Sequence, residues 1–130
     1  MQITQQLAIF LENRPGALAR VCDALSKEKI NIYAISSSDT VDHIVVRLVV
    51  SDPDRAMHLF EEHGVLVVST EVLMIESTNR PGSLADLAQK LSRARVNIEY
   101  LYCATPPKAV KGLLILRASD AKKALKALNR

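Results

Sequence analysis

Apolar and polar positions alternate near the start of the chain. Leu7, Ile9 and Leu11 share one side of that alternation, which predicts a half-buried strand. From Leu18 the period changes, and Leu18, Val21, Cys22 and Leu25 recur at helical spacing. Asn13-Arg14-Pro15-Gly16 stands between the two periods. A first helical turn tolerates proline, because its N–H has no partner within the helix, so the helix is predicted to begin at Pro15-Gly16. Asn31-Ile32 opens a second strand that runs to about Ser37. Residues 39–42 read as a hairpin loop, and Ile44, Val46, Leu48 and Val50 as a third strand. Asp52-Pro53 offers an N-cap with a proline behind it. The helix it starts carries Ala56, Leu59, Phe60 and His63 on one side and stops at Gly64, and residues 65–68 form a fourth strand.

The pattern then returns. Residues 7–32 match residues 73–98 without a gap, 66 positions apart. The identical pairs include Asn13/Asn79, Arg14/Arg80, Pro15/Pro81, Gly16/Gly82, Leu18/Leu84, Leu25/Leu91, Asn31/Asn97 and Ile32/Ile98. The second helical stripe is Leu84, Leu87, Ala88 and Leu91. Residues 47–52 match residues 115–120 at a spacing of 68, so the second copy holds two extra residues in or near 104–111, around Pro106-Pro107. Such a repeat organises the whole chain. The expected modules are residues 1–70 and 71–130, each near the lower limit for a self-supporting core. The fold class is α+β: two ferredoxin-like βαββαβ modules, each an antiparallel sheet in the order fourth, first, third, second, with both helices on one face.

The second copy lacks a fourth strand of its own, because nothing follows a helix running from Asp120 to about Leu128. That leaves the strand at residues 72–77 with a bare edge, which natural proteins avoid. Either residues 65–68 fold back on it through Ser69-Thr70-Glu71, or another chain supplies the partner and the protein is a homodimer. Ala8, Phe10, Val45 and Val49 lie out of phase with the core set and are expected to need cover.

The loop Asn13-Arg14-Pro15-Gly16 with Leu18, its twin at Asn79-Arg80-Pro81-Gly82 with Leu84, and the Asn-Ile pairs at 31–32 and 97–98 resemble the ACT domain family. The likeness covers nearly all of both repeats and is similar to stand-alone tandem ACT proteins that carry no attached enzyme. It implies an amino-acid-binding regulatory protein with no catalytic residues and no cofactor, which passes ligand occupancy to a metabolic enzyme. It places the ligand at an interface between modules. The matching positions are Asn13, Arg14, Pro15, Gly16, Ala17, Leu18 and Asn31, with Asn79, Arg80, Pro81, Gly82, Ser83, Leu84 and Asn97. Serine-binding relatives carry a histidine two residues before the loop asparagine. Leu11 and Ser77 stand there in this chain, so the amino acid is left open.

The residues themselves suit a zwitterion. A helix start offers free N–H groups and a positive dipole end to a carboxylate. Gly16 lets a ligand approach closely, and carboxamides can accept from an ammonium. Asn13 and Asn31 are expected at the same end of the sheet, where they could converge. Each residue also has a plainer role open to it: Asn13 as helix cap, Pro15-Gly16 as turn, Asn31 as helix exit.

Composition changes this picture little. The chain has 130 residues, 48% hydrophobic and 24% charged, with aromatics at 4% and a net charge of +3. Lys108, Lys111, Arg117, Lys122, Lys123, Lys126 and Arg130 crowd the last quarter, but no stacking aromatics interleave with them, which disfavours nucleic acid. Cys22 and Cys103 lack metal-site spacing. No apolar run is long enough to span a bilayer, so no membrane partner is expected and the cytoplasm is the default compartment. His43, His58 and His63 are scattered, with no nucleophile beside them. The competing reading is a ligand-independent interaction or assembly protein, the distant one a nucleic-acid-binding ferredoxin-like protein, and an acylphosphatase-like hydrolase comes last.

Overall fold

The computed structural model describes residues 1–130. Ten elements follow one another: β1 (Gln2–Glu12), α1 (Ala17–Lys27), β2 (Ile32–Asp39), β3 (His43–Val50), α2 (Pro53–Glu62), β4 (Leu66–Thr78), α3 (Ser83–Arg93), β5 (Ile98–Ala104), β6 (Lys111–Ala118) and α4 (Ala121–Leu128). The strands hydrogen-bond in the order β2-β3-β1-β4-β6-β5. The chain divides into two compact units, residues 5–70 and residues 1–4 with 71–130.

In the first unit the order is the one that the repeat predicts. β1 pairs antiparallel with β3, Leu7 opposite Leu48 and Ile9 opposite Val46. β2 pairs antiparallel with β3's other side. Directly opposed residues share a face, so Leu7, Ile9 and Leu11 join Val46, Leu48 and Val50. Val21 and Leu25 of α1 and Ala56, Leu59 and Phe60 of α2 pack onto that face and close the core. The second unit repeats this, with Leu73, Ile75, Leu114, Leu116 and Ala118 beneath Leu91, Ala124 and Leu128.

Helix ends follow the sequence closely. The Asp52 carboxylate accepts from the Arg55 amide at the start of α2, and Asp120 does the same for Lys123 at α4. α1 ends in a Schellman motif: the Ile30 amide donates to the Leu25 carbonyl and Lys29 to Ser26. Val96 to Leu91 and Arg95 to Ser92 repeat it after α3. Glycine usually takes the left-handed position of this motif, yet here Lys29 and Arg95 hold it, each with φ 59°.

The missing strand is replaced differently from either expected repair. β4 runs as one strand from Leu66 to Thr78, without a turn at Ser69-Thr70-Glu71. Its neighbour is β1, whose first four residues group with residues 71–130. Ile3 packs against the second core. The expected apolar second face is only partly covered. Val49 is buried and Ala8 and Val45 are half-buried, but Phe10 remains 38% exposed.

Candidate functional site

The strand-to-helix corner is a turn rather than a helical start. The Ala17 amide reaches the Arg14 carbonyl at 3.4 Å, and Gly16 has φ 86° and ψ −12°. Those angles put Pro15 and Gly16 at the two central positions of a type II turn, where proline and a residue of positive φ are favoured. Helix α1 therefore begins at Ala17, two residues later than the proline suggested, with Gly16 as its cap. Gly82 caps α3 in the same way, at φ 88° and ψ −10°. Neither glycine has a side chain to accept from the first turn. The Ala17 and Ser83 amides donate to Arg14 and Arg80 within the turns, and the amides that follow them keep the polarity that favours an anion.

Asn13 does not cap the helix. Its Nδ2 donates to the Thr40 carbonyl at 3.1 Å and its backbone amide to Asp42 at 2.9 Å, which fastens the corner to the β2–β3 hairpin. Asn79 repeats the bracket with Nδ2 donating to Pro107 and Ala109 and its amide to Val110. Asn31 has a different task. Its amide donates to Ser51 Oγ, its carbonyl accepts from the Ser51 amide, and its Oδ1 accepts from Ile32. Asn97 and Ser119 form the matching pair. The repeated Ser-Asp at 51–52 and 119–120 was the signal for these two serines.

The two asparagines of one unit do not converge. Asn13 sits level with the Thr40–Asp42 end of the sheet and Asn31 with Ser51 at the other. The 11 residues of α1 separate them, about 16 Å of helix. A strand, an antiparallel helix and a second parallel strand return the chain to the starting end, so the expectation of convergence within a module was a topological error.

Arg14 pairs with Glu12 at 2.8 Å, and Arg80 turns the other way to Asp86 at 2.6 Å. The hydrogen bond and the charge of Arg80 hold the Asp86 carboxyl below its ordinary pKa, and Lys90 and Arg93 pull in the same direction. Ser77 and Ser83 hydroxyls lie 3.1 Å apart. Leu18 packs against the first core, whereas Leu84 is 43% exposed. The two corners are therefore alike in backbone and unlike in side chains.

Each unit carries a groove along its first helix. Arg14, Ala17, Arg20, Val21, Ala24 and Phe60 line one of about 470 Å³ in the first unit. Arg80, Ser83, Asp86, Leu87, Lys90 and Leu128 line one of about 320 Å³ in the second. These are the same positions under the 66- and 68-residue spacings. Asn31 instead borders a shallow cavity at the far end of α1, beside Cys22 and Lys29. Sequence reasoning missed Arg20 and Phe60, which sit on helix faces that carried no motif. No group of three or more His, Cys, Asp or Glu side chains is placed to hold a metal ion. No helix is long and apolar enough to cross a membrane.

Residues 1–129 match the profile of the ACT domain pair. The crystal structure of protein BT0572 from Bacteroides thetaiotaomicron is 35% identical, superposes with a TM-score of 0.91, and is matched over 98% of this chain and 87% of that one. The ligand-free regulatory subunit of aspartate kinase from Thermus thermophilus is 20% identical, with a TM-score of 0.72 over 99% of this chain and 96% of that one. The corresponding Thermus flavus subunit is 21% identical, with a TM-score of 0.65 over 98% and 94%. Among curated proteins, none matches the sequence.

Proposed function

The chain belongs to the ACT domain pair family, and from that membership we propose that it is a non-catalytic regulatory protein that binds a free amino acid. The observation that carries the reading is the pair of uncapped helix starts, each on a left-handed glycine. A ligand carboxylate would take the amides of Leu18 and Ala19, or of Leu84 and Ala85 in the second copy, because Ala17 and Ser83 donate within their turns, with Gly16 and Gly82 leaving room beside them. The Oδ1 atoms of Asn13 and Asn79 would receive an ammonium group while their Nδ2 atoms stay on the hairpins. Arg14, Pro15 and Leu18, with Arg80, Pro81 and Leu84, would shape the sites, while Asn31 and Asn97, at the far ends of α1 and α3, would lie outside them. Ser77 and Ser83 make the second corner the more polar, so the two would differ in affinity or ligand.

A regulatory protein needs a target. Two structures with the same fold are regulatory subunits of aspartate kinase, which supports a cytoplasmic metabolic enzyme as the class of partner. Edge strand β2 exposes Tyr33 and Ile35, 51% and 44% accessible. That unguarded edge supports a homodimer. It also favours the second reading, an assembly protein whose association ignores amino acids.

Thermal unfolding with each of the twenty amino acids at millimolar concentration separates the two. A ligand at a hundred times its Kd adds about 2.7 kcal/mol to the native state. The regulatory reading expects one or a few amino acids to raise Tm. Unchanged Tm with all twenty, together with a stable dimer by light scattering, would establish the assembly reading instead.

A further inference from the structure

The grooves along α1 and α3 occupy equivalent positions but place their charges differently. In the first unit Leu11, Val21 and Phe60 line an apolar floor, 8%, 7% and 2% exposed. Arg14, Arg20 and His63 stand around it, with Glu12 as the one anion. Glu12 is neutralised by Arg14 at 2.8 Å. No ion pair engages Arg20. The His63 Nδ1 is held on the Leu59 carbonyl at 2.8 Å, which leaves its Nε2 as the ring's remaining polar atom. The groove therefore combines a desolvated floor with a net positive rim.

The second groove is also net cationic, with Arg80, Lys90 and Arg93 against Asp86, and it keeps Leu87 and Leu128, but its charges are placed differently. Asp86 replaces Arg20 and already binds Arg80 at 2.6 Å, and Lys90 replaces the small apolar Ala24. The cavity shrinks from about 470 to about 320 Å³. One copy thus places an arginine on the helix beside a small apolar residue, while the other places an aspartate beside a lysine at the same positions.

We propose that the groove of the first unit is a further ligand site, adjoining the corner at Arg14 and Ala17 and specific for a small organic acid with an apolar body. Its volume lies in the range of small-molecule sites, about 300–1,000 Å³. The acid's hydrocarbon part covers Val21 and Phe60, and its carboxylate takes the two-pronged hydrogen bond that a free guanidinium offers, from Arg20. An ammonium group on the ligand finds no free anion there, so the site selects simple carboxylates over zwitterions. The twin groove offers no cation at the position of Arg20, where Asp86 stands and holds Arg80.

Calorimetric titration of the full chain tests this with 4-methylpentanoate and 3-phenylpropanoate, with their primary amides as uncharged controls. The carboxylates are expected to bind once per chain, and the amides roughly tenfold more weakly, the loss set by one charged hydrogen bond. Arg20→Gln is expected to weaken the carboxylates to the level of the amides, and Asp86→Asn to leave them unchanged. The proposal is overturned by absence of binding at millimolar carboxylate, by equal affinity for acid and amide, by indifference to Arg20→Gln, or by two equivalents per chain. Amino-acid binding at the corners is scored separately, as the Tm response of Arg20→Gln protein, which retains it whether or not the groove is a site.

Discussion

Lys29 and Arg95 close α1 and α3 in a left-handed conformation that their Cβ atoms oppose. Such a residue costs roughly 1–2 kcal/mol relative to a right-handed one. Glycine there removes the strain but gives the unfolded chain more freedom. Lys29→Gly is therefore expected to raise stability by a net of about 0.5–1 kcal/mol in urea unfolding, and a loss would refute this account of the helix end. Gly112 is the reverse case. A Cβ there would collide with Thr105 Oγ1 and meet the Ala104 carbonyl at 2.8 Å. The close approach belongs to the longer β5–β6 hairpin. Gly112→Ala should destabilise by about 1–3 kcal/mol, as overpacking does. The Asp86 carboxyl, lowered by Arg80, is a third test. A depressed carboxyl contributes stability above its unfolded pKa and loses that contribution as pH falls through its folded value. NMR titration should find Asp86 ionising below 3.8, and Arg80→Gln should move it upward; an unmoved value would mean the pairing does not persist in solution.

At the scale of elements, the parts legible in the sequence were those set by local chemistry. Asp52 and Asp120 announced α2 and α4, and both cap as their side chains require. Alternation fixed which side of β1 and β3 meets the helices. What escaped was set by distant partners. Asn13 is bound by a carbonyl 27 residues away, so nothing near it revealed its role as a bracket. The partner of the second repeat's bare strand lies at the opposite end of the chain. Met1-Gln2-Ile3-Thr4 carries only one core-facing residue, too little pattern to read as a strand partner. Ile3→Asp places a charge where that residue packs and is expected to cost about 1–3 kcal/mol. Its mark should be faster amide exchange in residues 72–78 than in residues 43–50. Equal acceleration in both would mean that residues 1–4 do not serve the second unit specifically.

For the whole molecule, the repeat and the family establish a duplicated fold, while the proposed ligand depends on what the duplicated corner does with its free amides. The corners share a backbone, yet the pairs Arg14–Glu12 and Arg80–Asp86 and the contact of Ser77 with Ser83 differentiate them. A molecule with two such corners can respond to one ligand at one of them or to two at unequal concentrations. The most direct test is an amide chemical-shift map recorded while titrating the amino acid that most raises Tm. The largest changes are predicted at residues 16–19 or 82–85, with smaller ones at Asn13 or Asn79. Saturable shifts confined to other residues, with both glycine corners unmoved, would contradict the account.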